Sequence, residues 1–201
     1  MFDCAMARLK AFDEQQAIDA AVDCFWSRGY EATSVRDLAD SMGIGGASLY
    51  NAYGDKRALF VRSLERYADR SMRERIARLE ACHQPKAAIR AFLAEIIDRS
   101  LEDPDRRGCL LVNSALDVAP HDAKIGRVVA GYLDEIRAFF RRNLEAAQAA
   151  GQVPKTLDPE EISGHLLGVL LGIRVLARTR ARRTALEAVA RPALGLLKVP
   201  R

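Results

Sequence analysis

The sequence has few of the residue patterns that build catalytic, metal or disulfide-bonded sites. Its four cysteines, Cys4, Cys24, Cys82 and Cys109, show no CxxC or paired spacing. That fits a reducing compartment and no disulfide framework. His83, His121 and His165 lie far apart, with no HxxxH or HExxH pattern. No GxSxG, P-loop or GxGxxG at a strand–helix junction occurs, and no strand pattern of any length appears. An α/β enzyme is therefore disfavoured, and no catalytic residue, cofactor or metal is expected. Long apolar runs are also missing. The most apolar stretch, residues 162–177, is interrupted by His165 and Arg174 and is too short and polar to cross a membrane. Asp3 comes early and no apolar segment follows it, so no signal peptide is read. The expectation is a cytoplasmic protein with no membrane partner. Met6, just ahead of Arg8 and Lys10, is a candidate initiator.

What remains is ordinary for a globular protein. Of 201 residues, 49% are apolar and 29% charged, enough for one domain or a small domain fused to a larger one. The net charge of +4 hints at an anionic partner, but its distribution is uneven. Residues 1–60 hold six Lys or Arg against nine Asp or Glu, a net of −3; the remainder holds 25 against 18, a net of +7. A nucleic-acid reading of the first segment must rest on a few placed cations, not on a basic patch.

The most informative stretch is TSVRDLADSMGIGGASLYNAY, Thr33 to Tyr53. Ser34 is a good N-cap, and Asp37 three residues on favours a helix N-terminus. Leu38 and Ala39 face inward, and Ala39 is small enough for a second helix to cross closely. Gly43 stands where the chain must turn, and glycine takes the left-handed conformation cheaply. Ile44 follows as a buried turn residue, and Leu49 falls on the inner face of a second helix over 46–51. Small residue, glycine four later, aliphatic six after that is the spacing of a DNA-binding helix-turn-helix. An ordinary helical hairpin has the same spacing.

The longer run from Gly29 to Phe60 resembles the DNA-binding domain of the TetR family of bacterial repressors. The matching residues are Gly29, Tyr30, Thr33, Leu38, Ala39, Gly43, Ile44, Leu49, Tyr50, Tyr53, Lys56, Leu59 and Phe60. The resemblance covers the first third of the chain and implies phosphate contacts from Thr33, Tyr50 and Lys56, with Tyr53 among the DNA-binding residues. Ser48 and Asn51 are the candidates for base edges, since Asn reads adenine through two hydrogen bonds. Arg36 either reaches DNA or is a solvated helix-face arginine. The sequence departs from the family pattern at Gly45, Gly46 and Ala47. Gly45 replaces the usual Ser or Thr cap, so the recognition helix is expected to be loosely held without DNA.

The rest of the chain reads as helices. One is expected over 14–27, capped by Asp13 and Gln16, with Trp26 and Tyr30 covering a small three-helix core. Another runs from 55 or 56 to 82, with the stripe Leu59, Phe60, Leu64, Tyr67, Met72, Ile76 and Leu79. Pro85 opens the next, with Ile89, Phe92, Leu93, Ile96 and Ile97 inward. Gly108 to Pro120 holds a short apolar helix and resembles, more weakly, the C-terminal domain of one TetR subgroup. A long helix follows over 122–150, then helices from Pro159 and from Arg183, the last bent at Pro192. Gly164, Gly168 and Gly172 share one face, with Leu167, Leu171 and Val175 beside it. Each glycine costs roughly 1 kcal/mol in a helix, so a close helix approach should offset them. Either an intramolecular crossing or a homodimer meets that need, and the resemblance favours the dimer, with Gly164, Gly168, Leu171, Gly172 and Val175 at the interface.

These observations give an all-α protein of about nine helices. A three-helix helix-turn-helix domain, residues 1–55, precedes a ligand-binding and dimerisation domain, residues 56–201. The function read from them is a transcriptional repressor that binds a palindromic double-stranded DNA operator as a homodimer and is released by a small-molecule inducer. Phe92, Cys109, Asn113, Tyr132 and Arg137 interrupt apolar faces and are the candidate inducer contacts. Two rivals stand beside it. One is a redox or metal sensor using Cys82 or Cys109, with Cys82-His83 and Cys109 as a soft-metal set. The other is a helical interaction module that has lost DNA binding, suggested by the acidic head and Gly45-Gly46.

Overall fold

The computed structural model describes residues 3–199, with side chains from Glu14 onward. All regular structure among these residues is helical. The chain divides into two compact units at Asp69/Arg70.

The first unit holds α1 (Asp3–Arg28), α2 (Val35–Met42), α3 (Gly46–Tyr53) and α4 (Lys56–Ala68). α1 begins well before Glu14, so the Asp13–Gln16 pair lies inside it and starts no helix. No Gly or Pro interrupts residues 3–13, and Ala, Met, Arg, Leu and Lys there are strong helix formers. The reading of Met6 as initiator concerns a stretch whose side chains lie outside the described residues. Phe25, Leu38, Leu49, Leu59, Phe60 and Leu64 form the fully buried core. Trp26 packs edge-on to Tyr67 at 5.1 Å, and Tyr30 lies against Phe60 at 4.7 Å. Arg66 grips Asp19 with two hydrogen bonds of 2.7 and 3.0 Å, joining α4 to α1.

After α4 comes a π-helical turn, Asp69–Arg73, that leads directly into α5 (Glu74–Cys82). Taken as one helix over 56–82, this stretch brings the number among the described residues to nine. The π turn rotates the register of α5 relative to a regular helix. Arg75 is buried and Ile76 only half-buried, whereas the apolar stripe of the sequence counts Ile76 as inward. Arg75 lies 3.3 Å from Glu95 and over the Phe92 ring.

The second unit continues with α6 (Pro85–Glu102), α7 (Leu110–Asp117), α8 (Ala123–Ala149), α9 (Pro159–Ala177) and α10 (Arg183–Leu196). Their ends obey local chemistry. Asp122 caps α8 through the N–H groups of Lys124 and Ile125, Asp158 caps α9, and Gly151 takes φ 67° after α8. α10 continues through Pro192. α8 packs against α6 and α9, and α10 packs against α9 and α6. At their centre Phe92, Phe139 and Phe140 form a triangle with ring centres 5.0–5.4 Å apart. Phe92→Ala should lower unfolding free energy by about 3–5 kcal/mol through the cavity it leaves. Urea denaturation checks this, and a loss below about 1 kcal/mol would contradict a close-packed triangle.

α2 starts on a reciprocal cap. The Ser34 hydroxyl accepts from the Asp37 N–H at 3.1 Å, and the Asp37 carboxylate accepts from the Ser34 N–H at 2.9 Å. The Ser34 hydroxyl and backbone, and then Arg28, hold the Asp37 carboxyl below its ordinary value of 3.8. A lowered carboxylate value stabilises the fold above the unfolded value and loses that effect as pH falls through the folded one. Wild type should therefore exceed Asp37→Asn in stability at neutral pH, and the gap should close below pH 3.8. Chemical denaturation at a series of pH values reads this directly; a gap that does not depend on pH would contradict it.

Candidate nucleic-acid interface

α2 and α3 are joined by a turn that the glycine permits. Gly43 takes φ 66°, and its N–H and that of Ile44 return to the carbonyls of Asp40 and Ala39. Ile44 is half-buried there. α3 then starts after Gly45, which supplies no side-chain cap. Only Leu49 and Tyr53 of α3 are buried. Two inward residues on an eight-residue helix leave every other side chain facing out. Gly46, Ala47, Ser48, Tyr50, Asn51 and Ala52 are all exposed, with Tyr50 at 53%.

The expected DNA residues fall into two groups. Ser48, Tyr50 and Asn51 lie together on the outer face of α3. Arg36 on α2 is also open, its side chain 92% exposed with Asp40 at 3.9 Å. Lys56 starts α4 where Asp55 caps the Ala58 N–H at 2.7 Å; its ammonium sits 4.4 Å from the Tyr30 ring centre and donates to the Glu31 carbonyl at 3.4 Å. Thr33 and Tyr53 are placed differently. Thr33 is fully buried and donates its hydroxyl to the Gly29 carbonyl at 2.6 Å. Tyr53 is buried under the Arg62 guanidinium, and burial raises its phenol above the usual value, with Glu14 adding to that and Arg62 opposing it.

In the second unit the five candidate inducer contacts have separate surroundings. Phe92 belongs to the aromatic triangle. Tyr132 is buried beneath Arg73, which also pairs with Glu135. Arg137 pairs with Glu160 beside Asp134 and Arg141. Asn113 donates to the Arg107 carbonyl at 2.8 Å and accepts from Arg178 at 3.0 Å. Cys109 is half-buried and precedes α7 as its N-cap residue. Sequence reasoning misses Arg174, which looks there like a mere break in an apolar run. Arg174 is buried and donates to the Ser100 hydroxyl at 3.0 Å. Its only signal is a cation inside an otherwise apolar face. Among the described residues no three His, Cys, Asp or Glu side chains converge as metal ligands, and no helix is long and apolar enough to cross a membrane.

The α9 glycine face has little against it within the chain. A Cβ placed on Gly168 would meet nothing within 4 Å, and one on Gly172 would make an ordinary contact with Val189 at 3.8 Å. On Gly164 it would lie 4.0 Å from the Arg137 side chain. The nearby Val175 is exposed and Leu171 half-buried.

Comparison with known proteins agrees with this arrangement. Residues 17–62 match the family described as bacterial regulatory proteins, tetR family, and residues 85–193 match the tetracyclin repressor-like C-terminal domain. An uncharacterized helix-turn-helix regulator of Bacillus subtilis, YezE, is 31% identical over 90% of this chain and 94% of its own. The transcriptional repressor ComR of Escherichia coli is 30% identical over 94% and 90%. Among solved structures, a cysteine mutant of the TetR family regulator CifR in complex with a 26-base-pair operator superposes with TM-score 0.80 at 32% identity, covering 90% of this chain and 95% of that one. These matches span both units, and the chain belongs to the TetR family of bacterial DNA-binding transcriptional regulators.

Proposed function

We propose that this protein is a ligand-responsive repressor that binds an approximately palindromic operator as a homodimer in the cytoplasm. The observation that carries the reading is the outer face of α3, where Ser48, Tyr50 and Asn51 stand exposed over a buried Leu49. In this reading Tyr50 and Lys56 contact phosphates. Lys56 does so at the first turn of α4, where the helix dipole favours an anion. Ser48 and Asn51 read base edges, and Arg36 adds a phosphate or base contact. Thr33 and Tyr53 act as positioning groups, because their side chains are spent on the Gly29 turn and on the core.

The dimer reading is supported by the open glycine face of α9. Among the described residues, a Cβ on any of these three helical glycines would meet at most an ordinary contact, so no tight crossing offsets their conformational cost. Gly164, Gly168, Leu171, Gly172 and Val175 would meet the same face of a second copy. Two recognition helices then engage half-sites about 34–36 Å apart, one turn of DNA. An inducer that prefers another shape of the second unit weakens operator binding by linkage. Its contacts are proposed among Phe92, Cys109, Asn113, Tyr132 and Arg137.

A second reading keeps DNA binding and makes Cys82 or Cys109 the receiver of an oxidative signal. Its support is their access to solvent, Cys82 being exposed and Cys109 half-buried at the start of α7, whereas Cys24 is buried. If the operator response to peroxide survives both Cys82→Ser and Cys109→Ser unchanged, that reading fails.

The operator reading is tested by fluorescence anisotropy with duplexes from upstream of the gene, over a salt series. Wild type should bind one duplex selectively and lose affinity as salt rises. Tyr50→Ala should weaken that binding about a hundredfold, since each protomer of the dimer loses one hydrogen bond to a charged group, about tenfold each. Weak binding, equal for all duplexes and both proteins, would refute it. For the dimer, sedimentation of Gly168→Leu should show a shift towards monomer; in a chain that is monomeric throughout, the same change would leave sedimentation unaltered.

A further inference from the structure

Outside the sites discussed so far, α6 and α10 enclose an open groove of about 500 Å³. Its floor is apolar, made by Ala91, Leu93, Ala94 and Ile97 of α6 with Ala190 and Leu194 of α10. Its ends differ in charge. At one end Arg183 pairs with Asp98 at 2.7 Å and lies 3.8 Å from Glu187. Both carboxylates of the groove therefore sit with that arginine. Arg90, Arg191 and Lys198 also line the groove, all three exposed and with no ion pair among the described residues. Asp98 meets the start of α10, whereas Arg90 shares the groove with Lys198, just past its end. The helices thus run in opposite directions, and Arg90 falls near Arg191 and Lys198. Arg183 and two carboxylates, together a net of −1, close one end, and three cations without a carboxylate partner line the other.

We propose that this groove binds a small amphiphile with an anionic carboxylate head and an unbranched apolar tail. The head sits among Arg90, Arg191 and Lys198, and the tail lies on Ala91, Ala94, Ile97 and Leu194, with Leu93 directly beneath them. The α6 part of the floor, residues 91–97, runs about 9 Å at 1.5 Å per residue, which suits a medium-length chain. The volume falls in the range of small-molecule sites, about 300–1,000 Å³. Head and floor contribute different physics: the cations supply orientation and sign, and the floor removes tail carbons from water. The site is separate from the proposed dimer face. None of Gly164, Gly168, Leu171, Gly172 and Val175 of α9 lines the groove.

The test uses the full chain with sodium decanoate below its micelle concentration, beside 1-decanol, sodium acetate and a synthetic acidic amphipathic helix. Calorimetry should show saturable decanoate binding at one site per chain, with decanol at least about tenfold weaker and acetate undetectable. Arg90→Gln combined with Arg191→Gln should weaken decanoate at least about fivefold. Ala94→Trp, which fills an exposed part of the floor, should abolish binding while circular dichroism stays unchanged. Methyl NMR should show decanoate shifting Leu93, Ile97 and Leu194 but not Leu111 or Val112 of α7. Absent binding, equal affinity for decanol, shifts confined to α7, or indifference to Ala94→Trp would each overturn the proposal. So would binding of the acidic helix in place of decanoate. None of these readouts involves DNA, so failure of the operator reading leaves the result interpretable.

Discussion

The placement of α3 depends on the burial of Leu49 in the core of the first unit, to which Phe25, Leu38 and Phe60 also belong. α3 is too short to be stable alone, because a helix below about 12–15 residues is marginal in water. It also lacks a side-chain cap at Gly45. Its persistence therefore comes from tertiary contact, and only Leu49 and Tyr53 provide it. Burying a leucine is worth about 1.5–3 kcal/mol, a modest anchor. The same constraint creates the function. With its inner positions given to two apolar contacts, α3 leaves Ser48, Tyr50 and Asn51 exposed. Orientation comes from the Gly43 turn and from the Ser34–Asp37 cap, which set where α2 begins and ends.

The second unit obeys a different logic. Its core is a dense triangle of Phe92, Phe139 and Phe140, and close packing there leaves little freedom for substitution. Around it the helices keep features that packing within one chain does not explain. The glycine face of α9 is open, and an arginine, Arg174, is buried with a neutral hydroxyl as its partner. The groove between α6 and α10 adds three unbalanced cations over an apolar floor. Local rules that bring no gain inside the chain are expected at positions used for binding.

The π turn after α4 shows how one backbone irregularity redistributes chemistry. Ile76 belongs to the apolar stripe of the sequence, yet it is only half-buried, and Arg75 ends in the interior beside Glu95 and Phe92. Such turns leave no reliable trace in an amphipathic stripe, because a shift of one residue stays within the scatter of apolar positions.

Much of the fold is legible in the sequence. Helix boundaries at Gly43, Pro85, Asp122, Gly151 and Pro159 come from local chemistry, since caps, prolines and left-handed glycines act within a few residues. The inward residues of α6 and the outward face of α3 come from period 3.6 alone. The start of α1 is not legible, because a good capping pair also fits inside a helix when nothing upstream breaks it. By itself the sequence determined an all-α chain, a helix-turn-helix and the side chains that it presents. Only the tertiary structure decided that Thr33 and Tyr53 are buried, that Arg75 and Arg174 are interior, and that Arg90, Arg191 and Lys198 line one groove. Burial and long-range pairing join residues up to about a hundred positions apart, and those distances are set by how helices pack.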